Sequence, residues 1–216
     1  MFDAKGLLNQ LVGSGVAGGF AGGLAGSALA NVLGSKKARK VAGSALKIGG
    51  LAMVGGLAYK AWQSHQKGLG QAAGSELGAN RSAGTAFVPA DEDKAGTNAL
   101  SLLLARAMIA AAKADGQIDA GESQRILNQI NGLDLAAEDK AFLFEEYSRP
   151  LDLRALAVAV DSPEHAAEVY VASLLMVDPP SPPERIYLDA LAQELGLESG
   201  LVGELHATVE ASRAAA

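Results

Sequence analysis

The stretch Ala114-Asp115-Gly116-Gln117-Ile118-Asp119-Ala120-Gly121-Glu122 is an acidic turn between two segments that carry an apolar helical pattern. Before it, the apolar residues of Thr97–Ala114 recur at intervals of three and four, as on one buried face of a helix. After it, Ala120–Asn131 repeats the pattern and ends at Gly132, a helix stop signal. No strand pattern occurs on either side of this unit, so the sequence predicts an all-α fold.

Further helices are predicted to follow, each with a start or stop signal of its own. The strongest start signal is Ser162-Pro163, a capping residue followed by Pro at the first helical position. The predicted helices are one capped by Asp134 and ended by Pro150, then Asp152–Val160, Ser162–Val177, Ile186–Leu195 and Ser199–Ser212.

The sequence changes in charge and glycine content near residue 90. Residues 1–90 carry nine basic and two acidic side chains, whereas residues 91–216 carry nine basic and 22 acidic ones, and 19 of the 26 glycines precede residue 91. We therefore predict a Gly-rich region (1–67), a flexible linker (68–93) and an acidic helical domain (94–216). The acidic domain should repel nucleic acid, which is not an expected partner. The chain has no cysteine, which excludes disulfides, thiolate catalysis and cysteine-ligated metals.

The N-terminal region has features of a membrane-associated segment. No charged residue occurs from Gly6 to Ser35, a length that can cross a bilayer. Two sets of glycines fall four residues apart, so that on a helix each forms a ridge where a second backbone can approach closely. They are Gly15, Gly19 and Gly23, and Gly18, Gly22 and Gly26. We predict lipid as a partner and self-association along these ridges; the alternative is a flexible Gly/Ala-rich tail.

A second apolar run, Val41–Tyr59, is interrupted by Lys47 and followed by Lys60 and Trp62. The aromatic rings of Tyr59 and Trp62 beside a cation are typical of an interfacial anchor. Nothing nearby in the sequence is expected to bury this run. The candidate spans are therefore 11–34 and 41–59, arranged as a single span at 41–59 or as a hairpin.

The topology is left open by the charges. The basic cluster of residues 36–40 lies on the cytoplasmic side by the positive-inside rule, which would place the acidic domain outside the cytoplasm. A non-spanning association, with both segments lying in the interface, would keep that domain in the cytoplasm.

The acidic turn is the candidate metal site. Asp115, Asp119 and Glu122 are expected to offer three carboxylates to a hard cation such as Ca²⁺ or Mg²⁺. The turn does not match an EF-hand loop, which has a ligand, a glycine and a bidentate Glu where this chain has Gln117, Ala120 and Ile126. The alternative is ordinary capping, with Asp119 as the cap of the next helix and Glu122 as its N3 partner.

The same arrangement recurs weakly further along the chain. Asp178 follows a predicted helix, and Glu184 precedes the next helix at Ile186. Two such units would bring two acidic turns into one domain.

These residues resemble a known family. Ala114-Asp115-Gly116 with Glu122, then Asp178, Glu184 and Leu191-Ala192-Gln193-Glu194-Leu195-Gly196-Leu197, resemble the TerB-like family of tellurite-resistance proteins. Together with the Gly-rich half and Leu57-Ala58-Tyr59-Lys60-Ala61-Trp62, the whole chain resembles the YebE-type inner-membrane family, whose function is unassigned.

The resemblance implies an all-α bundle of about seven helices, in a cytoplasmic setting, with acidic residues that bind a divalent metal. By position these are Asp115, Asp119, Glu122, Asp178 and Glu184. The chain departs from the family pattern at 179–183, where Pro179-Pro180-Ser181-Pro182-Pro183 replaces the expected Gly and acidic residues.

No catalytic motif is recognisable. His65, His165 and His206 are interpreted as solvated surface residues, and the helical domain has no Gly-x-Ser-x-Gly nucleophile elbow. Residues 13–18 match a dinucleotide fingerprint by letters, without the preceding strand that such a site requires.

The sequence therefore predicts a non-enzymatic protein at the inner membrane. Its acidic domain, more consistent with the cytoplasm, would be an interaction module with a candidate divalent-cation site, in an envelope or stress context, and with an unknown protein partner. The alternative is a soluble, cation-responsive, partner-binding protein with a disordered Gly-rich tail.

Overall fold

The computed structural model describes residues 3–13, 50–68, 86–90, 93–114, 136–177 and 180–214. All regular elements in these ranges are α-helices and none is a β-strand, so the predicted all-α fold class is confirmed. The helices are α1 (Ala4–Gly13), α2 (Gly50–Gly68), α3 (Lys94–Ala112), α4 (Ala137–Ser148), α5 (Leu153–Val158), α6 (Pro163–Met176), α7 (Pro182–Glu194) and α8 (Ser199–Ala214).

Helix α6 forms the centre of the bundle. Every residue from 166 to 174 is buried, because α2, α3, α7 and α8 all pack against this helix. A helix that is apolar all round its circumference is one that the protein surrounds on all sides. Only Glu168 and Ser173 interrupt the apolar character of this buried stretch.

Helices α1 and α2 share the same core. Leu7, Leu8 and Leu11 of α1 are buried, and α1 packs against α3 and α2. Leu51 and Val54 of α2 are buried, and α2 packs against α6 and α8. The expectation that nothing nearby could bury the second apolar run is therefore wrong for residues 50–59. Most of the candidate spans, at 14–49, lies outside the described residues.

The described part of the predicted linker also lies in the core. Phe87 and Val88 are buried, and the Phe87 ring meets Tyr59 and Trp62 edge-on, with centroids 5.5 and 5.8 Å away. The two aromatic residues predicted to anchor the chain in lipid therefore contact a third aromatic residue within the protein. Residues 86–90 therefore pack on α2, whereas residues 69–85, 91 and 92 of the predicted linker lie outside the described residues.

Among the described helices, α3 is long and apolar enough to cross a membrane by length and composition, with a mean hydropathy of 1.4. Half of the 18-residue apolar segment of α3 is buried inside the bundle. Packing against α1 and α6 accounts for its apolar composition, as for any core helix.

The helix boundaries follow local capping signals. Ser162 begins α6 as predicted, since its hydroxyl accepts a hydrogen bond from the His165 N–H at 3.1 Å. Helix α7 begins at Pro182 rather than Ile186, because Ser181 and Glu184 form a capping box. The predicted Asp134 cap is wrong, since the N-cap of α4 is Ala136.

Candidate functional site

Glu168 is a fully buried acidic residue in the middle of α6, with 0% of its surface exposed. Neither carboxyl oxygen has a hydrogen-bond partner among the described residues. An ionised carboxylate without a partner costs several kcal/mol in the protein interior. Burial, followed by the nearby charge of Glu164, raises the pKa of Glu168 to about 9. The side chain is therefore a neutral carboxylic acid at neutral pH.

The backbone of α2 covers this carboxyl group at Gly55. A Cβ atom at position 55 would lie 2.8 Å from Glu168 Oε1, 2.6 Å from Val88 Cγ2 and 3.2 Å from the Phe87 carbonyl oxygen. The first two distances are shorter than real Cβ contacts. Helix α2 can approach Glu168 this closely because residue 55 has no side chain.

Two polar side chains, His165 in the first turn of α6 and Asp161 just before this helix, form a hydrogen-bonded pair near Glu168. His165 Nε2 lies 3.9 Å from Glu168 Oε2, and the other ring nitrogen, Nδ1, donates to the carboxylate of Asp161. This hydrogen bond lowers the pKa of Asp161 below its ordinary value. The Asp161 side chain is 77% exposed and that of His165 is 21% exposed, so this pair reaches from solvent to within 3.9 Å of the buried acid without a hydrogen bond to it.

Asp161 also lines a cavity of about 550 Å³ between the end of α2, the start of α6 and the α7–α8 turn. The cavity contains the carboxylates of Glu194 and Glu198, and His65, whose Nε2 is 3.3 Å from Glu198. Glu168 is not among the lining residues. A molecule in this cavity would meet Asp161 and not the buried acid.

The interpretation of the histidines as solvated is wrong. All three are partly buried, and each makes a side-chain hydrogen bond. His206 accepts a hydrogen bond from the Tyr170 hydroxyl at 2.9 Å, and burial lowers the pKa of His206. A neutral His206 is the form that can accept this bond, so the pair is a structural contact between α6 and α8.

The structure describes one of the five predicted metal ligands. Glu184 Oε2 accepts a hydrogen bond from the Ser181 N–H at 2.6 Å, which accounts for its role as a helix cap. The other four, Asp115, Asp119, Glu122 and Asp178, lie outside the described residues. In the described part of the chain, no group of three or more His, Asp or Glu is placed to hold a metal ion. The divalent-cation site stays a prediction.

The sequence analysis missed Glu168 and Gly55. The sequence does contain a signal for Glu168, since it is the single charged residue in the stretch 166–177. Gly55 is one of 26 glycines, and only the packing of α2 on α6 distinguishes it from the others.

The fold and the site define an all-α bundle built around a buried, protonated glutamic acid. A family described as "Protein of unknown function (DUF533)" matches residues 14–209, and the chain belongs to this family. No curated protein and no solved structure matches the chain. The matched range includes both the Gly-rich region and the acidic helices, which agrees with a core that both of them build.

Proposed function

We propose that this protein is a non-enzymatic, membrane-associated protein in which residues 14–49 contact lipid and the helical bundle is an interaction module. The partner of the bundle is unassigned. The resemblance to the TerB-like and YebE-type families adds a cytoplasmic setting at the inner membrane and an envelope or stress context.

The observation that carries the proposal is that the helices on either side of segment 14–49 contact each other close to its two ends. The Gly50 N–H donates to Asn9 Oδ1 at 2.6 Å, and α1 packs beside α2. The described residues on either side of segment 14–49 therefore lie close together in the bundle. The segment between these points contains the two glycine ridges and the basic cluster of residues 36–40.

The basic cluster divides this segment into a first arm, residues 14–35, and a return arm, residues 41–49. The lengths of these two arms favour association with the membrane without crossing it. One complete crossing needs about 20 residues as a helix. Residues 14–35 are long enough, but only residues 41–49 connect the basic cluster to α2. As a helix, at about 1.5 Å per residue, this return arm reaches about 14 Å, roughly half of a hydrocarbon core of about 30 Å. Extended backbone exposed to lipid is not tolerated.

We therefore propose that segment 14–49 lies in the interface on the same side as the bundle. Its apolar residues would enter the acyl boundary, and residues 36–40 would contact anionic headgroups, at about 1 kcal/mol for each basic residue. This topology is compatible with a cytoplasmic bundle.

Vesicle flotation with the full chain tests the membrane association. We expect the protein to float with anionic vesicles and much less with zwitterionic ones. The double variant Leu24→Asp/Val32→Asp should reduce flotation at least tenfold, because it adds charges to the uncharged arm. The matched control Ile186→Asp adds a charge at a residue of α7 that is already 70% exposed, and should float like the wild type. A wild-type protein that stays with the soluble fraction would overturn the proposal in favour of the soluble, cation-responsive alternative.

The absence of cysteine allows a direct test of topology. Single-cysteine variants Lys37→Cys and Ser64→Cys are prepared and reconstituted on sealed vesicles. A membrane-impermeant maleimide added outside should label both positions to the same extent. Labelling of Ser64→Cys alone, with Lys37→Cys accessible only after lysis, would show that the first arm crosses.

A further inference from the structure

We infer that Glu168 is a proton-operated latch, in which the neutral carboxyl group keeps α2 docked on the bundle and ionisation of that group releases α2. This inference does not depend on membrane association. It concerns the contact between α2 and α6, which the structure describes completely.

The carboxyl group is enclosed by surfaces that tolerate a neutral acid and oppose an anion. Gly55 of α2 covers it without a side chain, and the Phe87 carbonyl oxygen and the Val88 methyl group lie beside the same position. Neither α2 nor residues 86–90 place a basic side chain there. On α6 itself, Glu164 adds a like charge, and His165 lies 3.9 Å away.

The ionisable groups on the other helices that pack against α6 contact different positions. The residues are His206 of α8 at Tyr170, Arg213 of α8 at the carbonyls of Leu174 and Val177, and Tyr187 of α7 at Ser173. Helix α3 meets Ser173 through the Ala107 carbonyl. Among the described residues, a charge that forms at Glu168 therefore has no basic neighbour except the imidazole of His165.

Helix α2 is the element that would move. Helix α2 packs on α8 and α1 as well as on α6, and it covers Glu168 at Gly55, where it has no side chain. A small outward shift of α2 would give the carboxylate access to water. Burial sets the ionisation in the alkaline range, at a pKa of about 9.

The chain contains its own reporter of this movement. Trp62 is the single tryptophan, it lies on α2, and its ring packs edge-on against Phe87. In a titration of the full chain from pH 6 to 10.5, we expect the emission maximum of Trp62 to shift to longer wavelength with a midpoint near pH 9. Glu168→Gln keeps a neutral side chain of the same shape and should remove this transition. Ionisation of tyrosine side chains affects the emission of both proteins. The difference between the wild-type and Glu168→Gln titration curves therefore reports the ionisation of Glu168 alone.

A second variant tests the direction in which the midpoint of the Trp62 transition should move. Glu164→Gln removes the like charge that disfavours ionisation of Glu168, so its midpoint should fall below that of the wild type. An identical transition in Glu168→Gln, or a wild-type emission maximum that stays constant relative to Glu168→Gln, would overturn the inference.

Hydrogen exchange on the wild type tests the latch without a variant. After correction for the intrinsic pH dependence, amides of α2 should exchange at least tenfold faster at pH 9.5 than at pH 7, while those of α6 change less. An equal acceleration of α2 and α6 would indicate global unfolding and would contradict release of α2 alone.

Discussion

Gly55 and Gly56 are adjacent residues of α2 for which the same substitution should have opposite effects. Gly55→Ala would place a methyl group 2.6 Å from Val88 Cγ2 and 2.8 Å from Glu168 Oε1. Overpacking of this kind costs about 1–3 kcal/mol. At Gly56 a Cβ would meet nothing within 4 Å, so Gly56→Ala should gain about 0.5–1 kcal/mol from helix propensity. Urea unfolding of the two variants measures both values, and equal free energies would contradict the close contact of α2 and α6.

The buried acid predicts how stability depends on pH. The pKa of Glu168 is raised from 4.5 in the unfolded chain to about 9 in the folded protein. Between these values the folded protein keeps a proton that the unfolded chain releases, so the free energy of unfolding falls as pH rises, by at most about 1.4 kcal/mol per pH unit from this group. Below pH 4.5 Glu168 is protonated in both the folded and the unfolded state, and its contribution to the free energy of unfolding is fully present.

Comparison with Glu168→Gln separates this effect from that of other groups. Urea unfolding at pH 5, 6, 7 and 8 should show a stability difference between variant and wild type that grows with pH in favour of the variant. A difference that does not change with pH would mean that Glu168 is ionised in the folded protein.

The acidic turn provides a prediction about metal binding. If Asp115, Asp119 and Glu122 converge on a cation, calorimetry with Ca²⁺ or Mg²⁺ on the full chain should show saturable heat that Asp115→Ala removes. Asp152→Asn is the matched control, since Asp152 caps α5 by accepting from the Ala155 N–H and belongs to no predicted metal set. Absence of heat in the wild type would leave capping as the explanation of these carboxylates.

At the scale of elements, Lys113 joins the end of α3 to the end of α4. Its ammonium group is buried and donates to the carbonyl oxygens of Glu146, at 3.2 Å, and Arg149. These carbonyls belong to the last turn and C-cap of α4, where helical partners are absent. Lys113→Met should therefore destabilise the protein by about 1–3 kcal/mol, because it removes two partly buried hydrogen bonds from a charged donor.

The control for Lys113→Met is Lys94→Met, which changes an exposed lysine at the other end of α3. Thermal unfolding should show little change for the control. Hydrogen exchange should show lost protection in α4 for Lys113→Met. Equal effects of the two variants would mean that the contact between Lys113 and α4 contributes no stability.

The elements that sequence predicted best are those whose ends are set by adjacent residues. Ser162 and Pro163 define the start of α6, and Gly196, with φ of 65°, follows the end of α7 at Glu194. The predicted start of α7 at Ile186 is four residues late, because the Ser181–Glu184 capping box allows Pro182 and Pro183 to form the first turn of the helix. Local chemistry sets these boundaries, so a sequence contains the information needed to find them.

At the scale of the whole molecule, the division at residue 90 describes composition and not tertiary structure. Composition does separate a Gly-rich basic half from an acidic half. It does not show that α2 packs on α6 and α8, or that Phe87 packs on Tyr59 and Trp62, because those contacts join residues far apart in the chain. The environment of Glu168 was unpredictable for the same reason, since the three residues that cover it, Gly55, Phe87 and Val88, all precede the acidic half.

This shared core predicts that residues 91–216 do not fold independently. Their bundle would lose the five large apolar side chains that α1 and α2 bury, which are Leu7, Leu8, Leu11, Leu51 and Val54. At about 1.5–3 kcal/mol for each, the loss is on the order of 10 kcal/mol, comparable with the whole stability of a typical domain. Circular dichroism should therefore show one cooperative thermal transition for the full chain and a broad, non-cooperative one for 91–216.

A control chain in which a short Gly/Ser linker replaces 14–49 keeps α1 and α2, whose ends meet at Asn9 and Gly50, and should unfold cooperatively. A fragment 91–216 that unfolds as sharply as the full chain would show that α1 and α2 are dispensable for the core.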